Sequence, residues 1–100
     1  MVAHVPIPPL AGLRAFEAVA RLKSFRRAAE ELSVTTSAVS HQVRGLEQAL
    51  DIQLFERGSN GVTVTSAGRR FLREVQAAMD RLALAIADLH ERKPNAPLTI

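Results

Sequence analysis

Several residue types that commonly build or stabilise functional sites are missing from this chain or scarce in it. Cysteine, tryptophan and tyrosine are absent from its 100 residues, and only four phenylalanines are present. The lack of cysteine excludes disulfides and thiolate-ligated metal, which fits a reducing cytoplasm. The core must therefore be mainly aliphatic, and a hydrophobic content of 47% is enough for one compact domain.

Long apolar segments and a strong charge excess are also missing. No stretch approaches the roughly 20 apolar residues of a membrane span, and the first ten residues lack the basic start and apolar region of a signal peptide. The net charge is only +3, with seven Lys/Arg and six Asp/Glu in residues 1–64 and six and four in residues 65–100. Bulk charge therefore does not indicate a nucleic-acid partner, and only the positions of the basic residues can do so.

The first half of the chain has the periodicity of three short helices after an extended arm at residues 1–9, which is rich in proline. Apolar residues at three- and four-residue steps predict a first helix from Leu10 to about Leu22. Ser24 is a plausible N-cap for the second helix, and Ser33-Val34 form a turn with Val34 pointing inward. Thr35 can cap a third helix at 36–50, whose apolar stripe is Val39, Val43, Leu46 and Leu50.

The second half predicts a β-hairpin and one long helix. Residues 54–57 and 62–64 are β-prone and flank Gly58-Ser59-Asn60-Gly61, so they form a small hairpin, or wing. Thr65 then caps a helix that runs from Ser66 to about Arg92 and is too long for the small domain to cover. A second copy of the chain is its simplest partner, and the expected dimer contacts are Phe71, Val75, Ala78, Leu82, Ala85, Ile86 and Leu89.

The third helix carries small polar residues opposite its apolar stripe, which is typical of a helix that enters a DNA major groove. The N-terminal residues of such a helix usually contact base edges, and these positions are Thr36, Ser37, Ser40 and His41. Phosphate contacts are expected from Arg44 and from the first turn of the second helix, where Arg26 and Arg27 oppose the helix dipole. Arg57 in the wing is suited to a minor groove. Thr36 or Ser37 alone would more often be a solvated surface residue, and Arg26 and Arg27 could equally be solvated. Arg57 could instead pair with Glu56 or another acid, but DNA contact is favoured for it, and the order of helix, turn, helix and wing favours DNA for the set.

Catalysis has little support in the sequence. His4, His41 and His90 are far apart and match no metal-ligand spacing, and there is no glycine-rich phosphate loop. Glu47 is better explained as a structural cap or ion-pair residue. Besides DNA binding, the sequence permits a protein-interaction module that dimerises through residues 71–89 and docks a partner with its small domain, whereas nothing favours an enzyme.

These residues also resemble the N-terminal region of LysR-type transcriptional regulators. The shared pattern includes Ser24-Phe25, Ala28-Ala29, residues 37–40, Leu54-Phe55 and Thr65-x-Ala67-Gly68. It covers residues 10–68 closely, and the opening and third helix are most similar to the branch of glycine-cleavage and β-lactamase regulators. The resemblance implies a mainly α fold: a winged helix-turn-helix of three helices and a hairpin at 10–64, then a dimerising linker helix at 65–93.

What the family does sets further expectations for this chain. The resemblance implies double-stranded DNA as partner, a homodimer that becomes a tetramer at full length, and a cytoplasmic location at the bacterial nucleoid; RNA polymerase is a further candidate partner. It implies base readers at Thr36, Ser37, Ser40 and His41, a wing arginine at Arg57, and helix caps Ser24 and Thr35 placed at the phosphates. Residues 94–100 would be a hinge and the start of a missing effector-binding domain, so no cofactor is expected in this segment. The alternative from these residues alone is a disordered tail.

Three positions depart from the family pattern. Many members have Gln where Thr36 stands, so a long amide reader is lost and site preference is expected to differ. Arg26 stands where Thr is common, which would add a phosphate contact. Asp51 replaces a common Gly at the end of the third helix, where Asp tolerates a left-handed backbone less well than Gly.

Overall fold

Four helices and one β-hairpin make up the fold in the computed structural model, which describes residues 6–59 and 61–92. The elements follow in the order α1 (Leu10–Leu22), α2 (Phe25–Leu32), α3 (Thr36–Leu50), β1 (Phe55–Gly58), β2 (Gly61–Val64) and α4 (Ser66–Glu91). The strands are antiparallel, with Phe55 opposite Val64 and Arg57 opposite Val62. The predicted winged helix-turn-helix with a long last helix is thus confirmed. The expectations for residues 1–5 and 93–100 lie outside the described residues.

The core forms where α1 packs against the other helices. Its largest fully buried side chains are Phe16, Val19, Val39, Val43 and Leu54. The small Ala28 and Ala29 are also buried, which allows α2 to approach α1 closely. The mainly aliphatic core agrees with the prediction, and it holds the stripe of α3 so that the opposite side of that helix remains free. Within the described ranges, no helix is both long enough and apolar enough to cross a membrane.

Side-chain oxygens begin three of the four helices, as predicted. Ser24 accepts a hydrogen bond from the backbone N–H of Arg27, Thr35 from Ala38, and Thr65 from Gly68, each at 3.0 Å. These bonds satisfy backbone donors that have no partner within the helix. The caps therefore fix where α2, α3 and α4 begin.

The C-termini of α2 and α3 end in the same backbone conformation. Ser33 and Asp51 adopt the left-handed conformation, at φ 59° and 56°, and each helix end carries a pair of crossed backbone bonds. Asp51 therefore adopts the conformation expected from the glycine it replaces. Val34 was expected to point inward, but it is 48% exposed and only lines a surface hollow beside Ala15 and Val39, outside the core.

Candidate nucleic-acid interface

The outer side of α3 presents the four predicted base-reading residues. Thr36, Ser37 and His41 are exposed and Ser40 is half-buried, whereas Val39, Val43 and Leu46 of the same helix are in the core. Thr36 and Ser37 lie in the first turn, which begins at the Thr35 cap. The arrangement leaves hydroxyl and imidazole groups at the surface, where they can form hydrogen bonds to a ligand.

Ser40 and Arg44 are joined one turn apart on this surface. The Arg44 Nη2 donates to Ser40 Oγ at 2.9 Å. A hydroxyl that accepts from arginine keeps its own proton free to donate. The pair therefore offers a cationic group and an oriented hydroxyl to the same ligand.

The caps Ser24 and Thr35 lie at the N-termini of α2 and α3. Each hydroxyl oxygen already accepts a backbone N–H, so its proton is available to an external acceptor such as a phosphate oxygen. The backbone donors of these first turns carry partial positive charge, which favours the same anion.

The two arginines that open α2 differ in their surroundings. Arg26 forms an i,i+4 ion pair with Glu30 at 3.0 Å, with both side chains mostly exposed. Such a pair contributes little in water and can give way to a phosphate. Arg27 is exposed and takes part in none of the ion pairs found among the described residues.

The wing arginine is held against α2. Its guanidinium carbon lies 4.4 Å from the centre of the Phe25 ring, and Arg57 lines a shallow depression between α3 and β1 together with Arg44 and Glu47. Glu47 accepts from the backbone N–H groups of Leu54 and Phe55, at 2.7 and 3.2 Å. The structural role predicted for Glu47 is therefore confirmed, and its carboxylate is already engaged. The alternative pairing of Arg57 with Glu56 is not among the ion pairs of the described chain.

Sequence reasoning missed the part that Phe25 plays here, since this residue entered it only through the Ser24-Phe25 pair of the family pattern. Phe25 and Arg57 are 32 positions apart, and no local pattern connects them. The only available indication was that α2 opens with an aromatic residue among arginines.

The predicted dimer stripe of α4 divides into two parts. Val75 is buried, and Phe71 packs against Phe16 with ring centres 5.5 Å apart. Val75 thus belongs to the core of its own domain, which corrects its assignment as a dimer contact. Phe71 is only partly buried, so its assignment stays a prediction. The remaining positions are exposed: Ala78, Leu82, Ala85, Ile86 and Leu89. Among them, Leu82, Ile86 and Leu89 are 49–67% accessible.

A polar network ties α1 to α2 and α4 on the surface. Arg21 donates to Glu17 at 2.9 Å and also to Glu31, while Gln76 of α4 donates to Glu17 at 3.2 Å. The hydrogen bond from Arg21 lowers the pKa of the Glu17 carboxyl, with burial opposing it and Gln76 adding to it. The same guanidinium lowers the pKa of Glu31. Among the described residues, no group of His, Asp and Glu side chains could hold a metal ion.

Comparison with known proteins decides the family. The family model described as "Bacterial regulatory helix-turn-helix protein, lysR family" matches residues 10–69. The chain belongs to the LysR family. Its winged domain, caps and long α4 are therefore those of a LysR-type regulator, as the sequence pattern predicted.

Curated relatives of this LysR-family domain are transcriptional regulators. The glycine cleavage system transcriptional activator of Escherichia coli K12 is 40% identical over 94 residues, which is 94% of this chain and 31% of the relative. The transcriptional activator AmpR of Citrobacter freundii is 53% identical over 75 residues, which is 75% of this chain and 26% of the relative. The chain spans about a third of the length of these relatives or somewhat less.

Solved structures agree with the architecture. The complex of the BenM DNA-binding domain with benA site 1 DNA has a TM-score of 0.81 at 31% identity and covers 87% of this chain and 98% of that one. The complex of Vibrio fischeri DarR with DNA has a TM-score of 0.77 at 26% identity, and the match covers 86% of this chain and 30% of the DarR chain.

Proposed function

We propose that this LysR-family domain binds a specific site in double-stranded promoter DNA as a dimer. In each copy α3 enters the major groove, and the wing carries Arg57 to the adjacent minor groove. One observation carries the proposal: the N-terminal half of α3 exposes hydroxyl and imidazole groups next to Arg44, while the other side of the helix is fixed in the core.

Thr36, Ser37, Ser40 and His41 would read base edges. Short hydroxyl side chains allow the helix backbone to come close to the bases, and they can donate to or accept from either strand. The Thr36 methyl group suits the thymine methyl. Since Ser40 accepts from Arg44, its own proton remains available to donate to an acceptor such as guanine O6 or a purine N7.

Phosphate contacts would surround these base contacts. Arg27 and Arg44 supply full positive charges, Arg26 can leave its exposed ion pair, and the Ser24 and Thr35 hydroxyls add neutral donors at helix N-termini. Contacts of this kind fix the orientation of a domain on the duplex without reading sequence. A net charge of only +3 does not oppose this proposal, since phosphate contacts depend on where the cations lie.

Dimerisation would use the outer part of α4. Ala78, Leu82, Ala85, Ile86 and Leu89 recur at three- and four-residue steps, and they are exposed in the single chain. A second copy would bury them and bring two α3 helices to two half-sites. The DNA complexes of BenM and DarR support the DNA partner by analogy.

The remaining parts of the proposal concern the longer regulator. By analogy with its family it would be a cytoplasmic, nucleoid-associated tetramer that responds to a small-molecule effector in a further domain and contacts RNA polymerase. Within the present chain the proposed organisation is an arm at 1–9, the winged domain at 10–64, the linker helix at 65–93 and a hinge at 94–100.

A salt titration tests the proposal. Affinity for a DNA fragment taken from beside the protein's own gene should fall steeply as salt rises, with a log–log slope of about −0.9 for each phosphate neutralised. Footprinting on the same fragment should reveal a protected site that random DNA lacks. A protein-docking module would instead show no protection and little dependence of DNA retention on salt.

A further inference from the structure

All four phenylalanines of the chain form one connected series. Ring centres are 5.5 Å apart for Phe71 and Phe16, 5.4 Å for Phe16 and Phe55, and 6.0 Å for Phe55 and Phe25. These spacings lie in the range where aromatic pairs attract each other. The series begins on α4, crosses the core at Phe16 and ends at the surface with the Arg57 guanidinium over Phe25.

The ring of Phe25 is a fixed platform. It meets Phe55 in an edge-to-face arrangement, and Phe55 is buried beneath it. Phe25 is the first residue of α2 and directly follows the Ser24 cap, so its backbone is fixed by the start of the helix. The helix start and the buried neighbour together restrict where this ring can turn.

Arg57 is equally restricted at its backbone. It belongs to β1 and lies opposite Val62 in the hairpin, so its freedom is limited to the torsions of its side chain. The ring face attracts a cation placed within about 6 Å of its centre, and the observed separation is 4.4 Å. The Glu47 carboxylate on the same depression is engaged by two backbone donors and so competes weakly for the arginine.

We propose that Phe25 is a positioning residue for DNA binding: its ring holds the Arg57 side chain in the direction in which it meets the nucleic acid. The inference rests on the proposed function, and it adds to it a residue that has no polar group of its own. A guanidinium that is already oriented loses less conformational freedom on binding than one that moves freely in solvent.

The tests use four single substitutions, one double mutant and one isosteric replacement in the same chain. Phe25→Leu keeps an apolar side chain but removes the ring face, and it should weaken operator binding about two- to fivefold, the effect of losing an exposed cation–π contact. Phe25→Tyr keeps the face and should bind as the wild type does. A ring-fluorinated phenylalanine at position 25, introduced by nonsense suppression, keeps the shape but weakens the ring's negative face, so it should reproduce most of the Phe25→Leu loss.

A double-mutant cycle with Arg57→Ala identifies the target of the ring. Once Arg57 is absent, Phe25→Leu should cost no further affinity. Leu32→Ala is the matched control, since Leu32 is a partly buried residue of the same helix that packs on the same core. Leu32→Ala should lower the melting temperature while leaving operator affinity within about twofold of the wild type at a temperature where both are folded.

Three results would overturn the inference. They are additive losses for Phe25→Leu and Arg57→Ala, undiminished affinity for the fluorinated protein, and an affinity loss for Leu32→Ala as large as that for Phe25→Leu. In each of these cases the wild type still binds DNA, so the proposed function stands. Absence of salt-dependent binding by the wild type would instead reject the proposed function itself.

Discussion

Gly68 lies in the first turn of α4, where this helix approaches Leu54, the residue before β1. A Cβ atom placed there would clash with the backbone carbonyl oxygen of Leu54 and would lie 2.6 Å from a methyl carbon of Val64. Backbone cannot move aside cheaply, so Gly68→Ala should lower the free energy of unfolding by about 1–3 kcal/mol, the usual cost of overpacking. Urea denaturation followed by circular dichroism measures this change.

Gly45 provides the matched control for Gly68. It is also helical, but a Cβ there would meet nothing within 4 Å. Gly45→Ala should therefore raise the free energy of unfolding by roughly 0.5–1 kcal/mol through the better helix propensity of alanine. Equal effects of the two substitutions would contradict the close approach of α4 to Leu54.

The polar side chains of α3 should separate into readers and anchors. His41→Ala and Ser40→Ala are expected to reduce the ratio of operator affinity to random-DNA affinity by about tenfold or more, as expected for a lost base contact. Arg44→Ala should weaken binding to both DNAs about equally. Fluorescence anisotropy with a labelled duplex measures both affinities, and equal losses on both DNAs for all three variants would reject the base-reading assignment.

The Ser40–Arg44 hydrogen bond adds a further expectation. Since the two side chains touch, their effects on affinity should not be additive. His41 makes no side-chain hydrogen bond to Arg44 among those found in the described chain, so the pair His41→Ala and Arg44→Ala serves as the additive reference.

At the scale of elements, a network of Glu17 and Arg21 on α1, Glu31 on α2 and Gln76 on α4 links three helices and should make stability depend on pH. The Arg21 hydrogen bond lowers the pKa of Glu17 in the folded state. Stability from this group is therefore complete above its ordinary pKa of about 4.3 and is lost as pH falls through the depressed folded value. Urea unfolding between pH 7 and pH 3 should show wild-type stability falling in the acid range.

Glu17→Gln should flatten that acid decline, because the amide does not titrate. It should also lower stability near neutral pH, where the wild-type carboxylate accepts from Arg21 and Gln76. Glu74→Gln, which removes an exposed carboxylate of α4, is the control and should leave the shape of the pH profile unchanged. A Glu17→Gln profile parallel to that of the wild type would show that the network does not couple protonation to folding.

Element boundaries were predictable where local chemistry determines them. Ser24, Thr35 and Thr65 begin helices through bonds to residues three positions on, and such spacing is visible in the sequence. The left-handed ends at Lys23 and Ser33 were not predicted, because neither residue favours that conformation. At Asp51 the left-handed end could be expected, because many family members have glycine there. Val34 is less buried than expected, because its burial depends on how α1 and α3 pack beside the turn.

Contacts between distant parts of the chain were less accessible to sequence reasoning. The stripe from Phe71 to Leu89 has one unbroken periodicity, so the pattern cannot tell which residues the same chain covers and which remain free. The structure places Val75 in the core and leaves Leu82 half-exposed. Stacking of Arg57 on Phe25 likewise depends on how β1 packs beside α2, which no local spacing encodes.

At the scale of the whole molecule, the exposed part of α4 should determine the oligomeric state. Leu82→Asp places a charge within the proposed dimer stripe, so burial against a second copy would become unfavourable. Leu84→Asp is the matched control, since Leu84 is 70% exposed and lies on the opposite side of α4, about 200° around the helix from Leu82. Sedimentation velocity should show a monomer for Leu82→Asp and an unchanged dimer for Leu84→Asp.

The last residue of α4 that packs on the core is Met79, and the helix continues to Glu91. This projecting portion is about 18 Å long, its residues 80–91 are all exposed, and the hydrogen bond between Gln76 and Glu17 lies just before it. By that geometry, a tilt of this portion by about 10° moves its far end by about 3 Å. That displacement is close to the roughly 3.4 Å between successive base pairs. In the proposed dimer, a small change in the angle of α4 would therefore produce a displacement comparable to one base step of DNA.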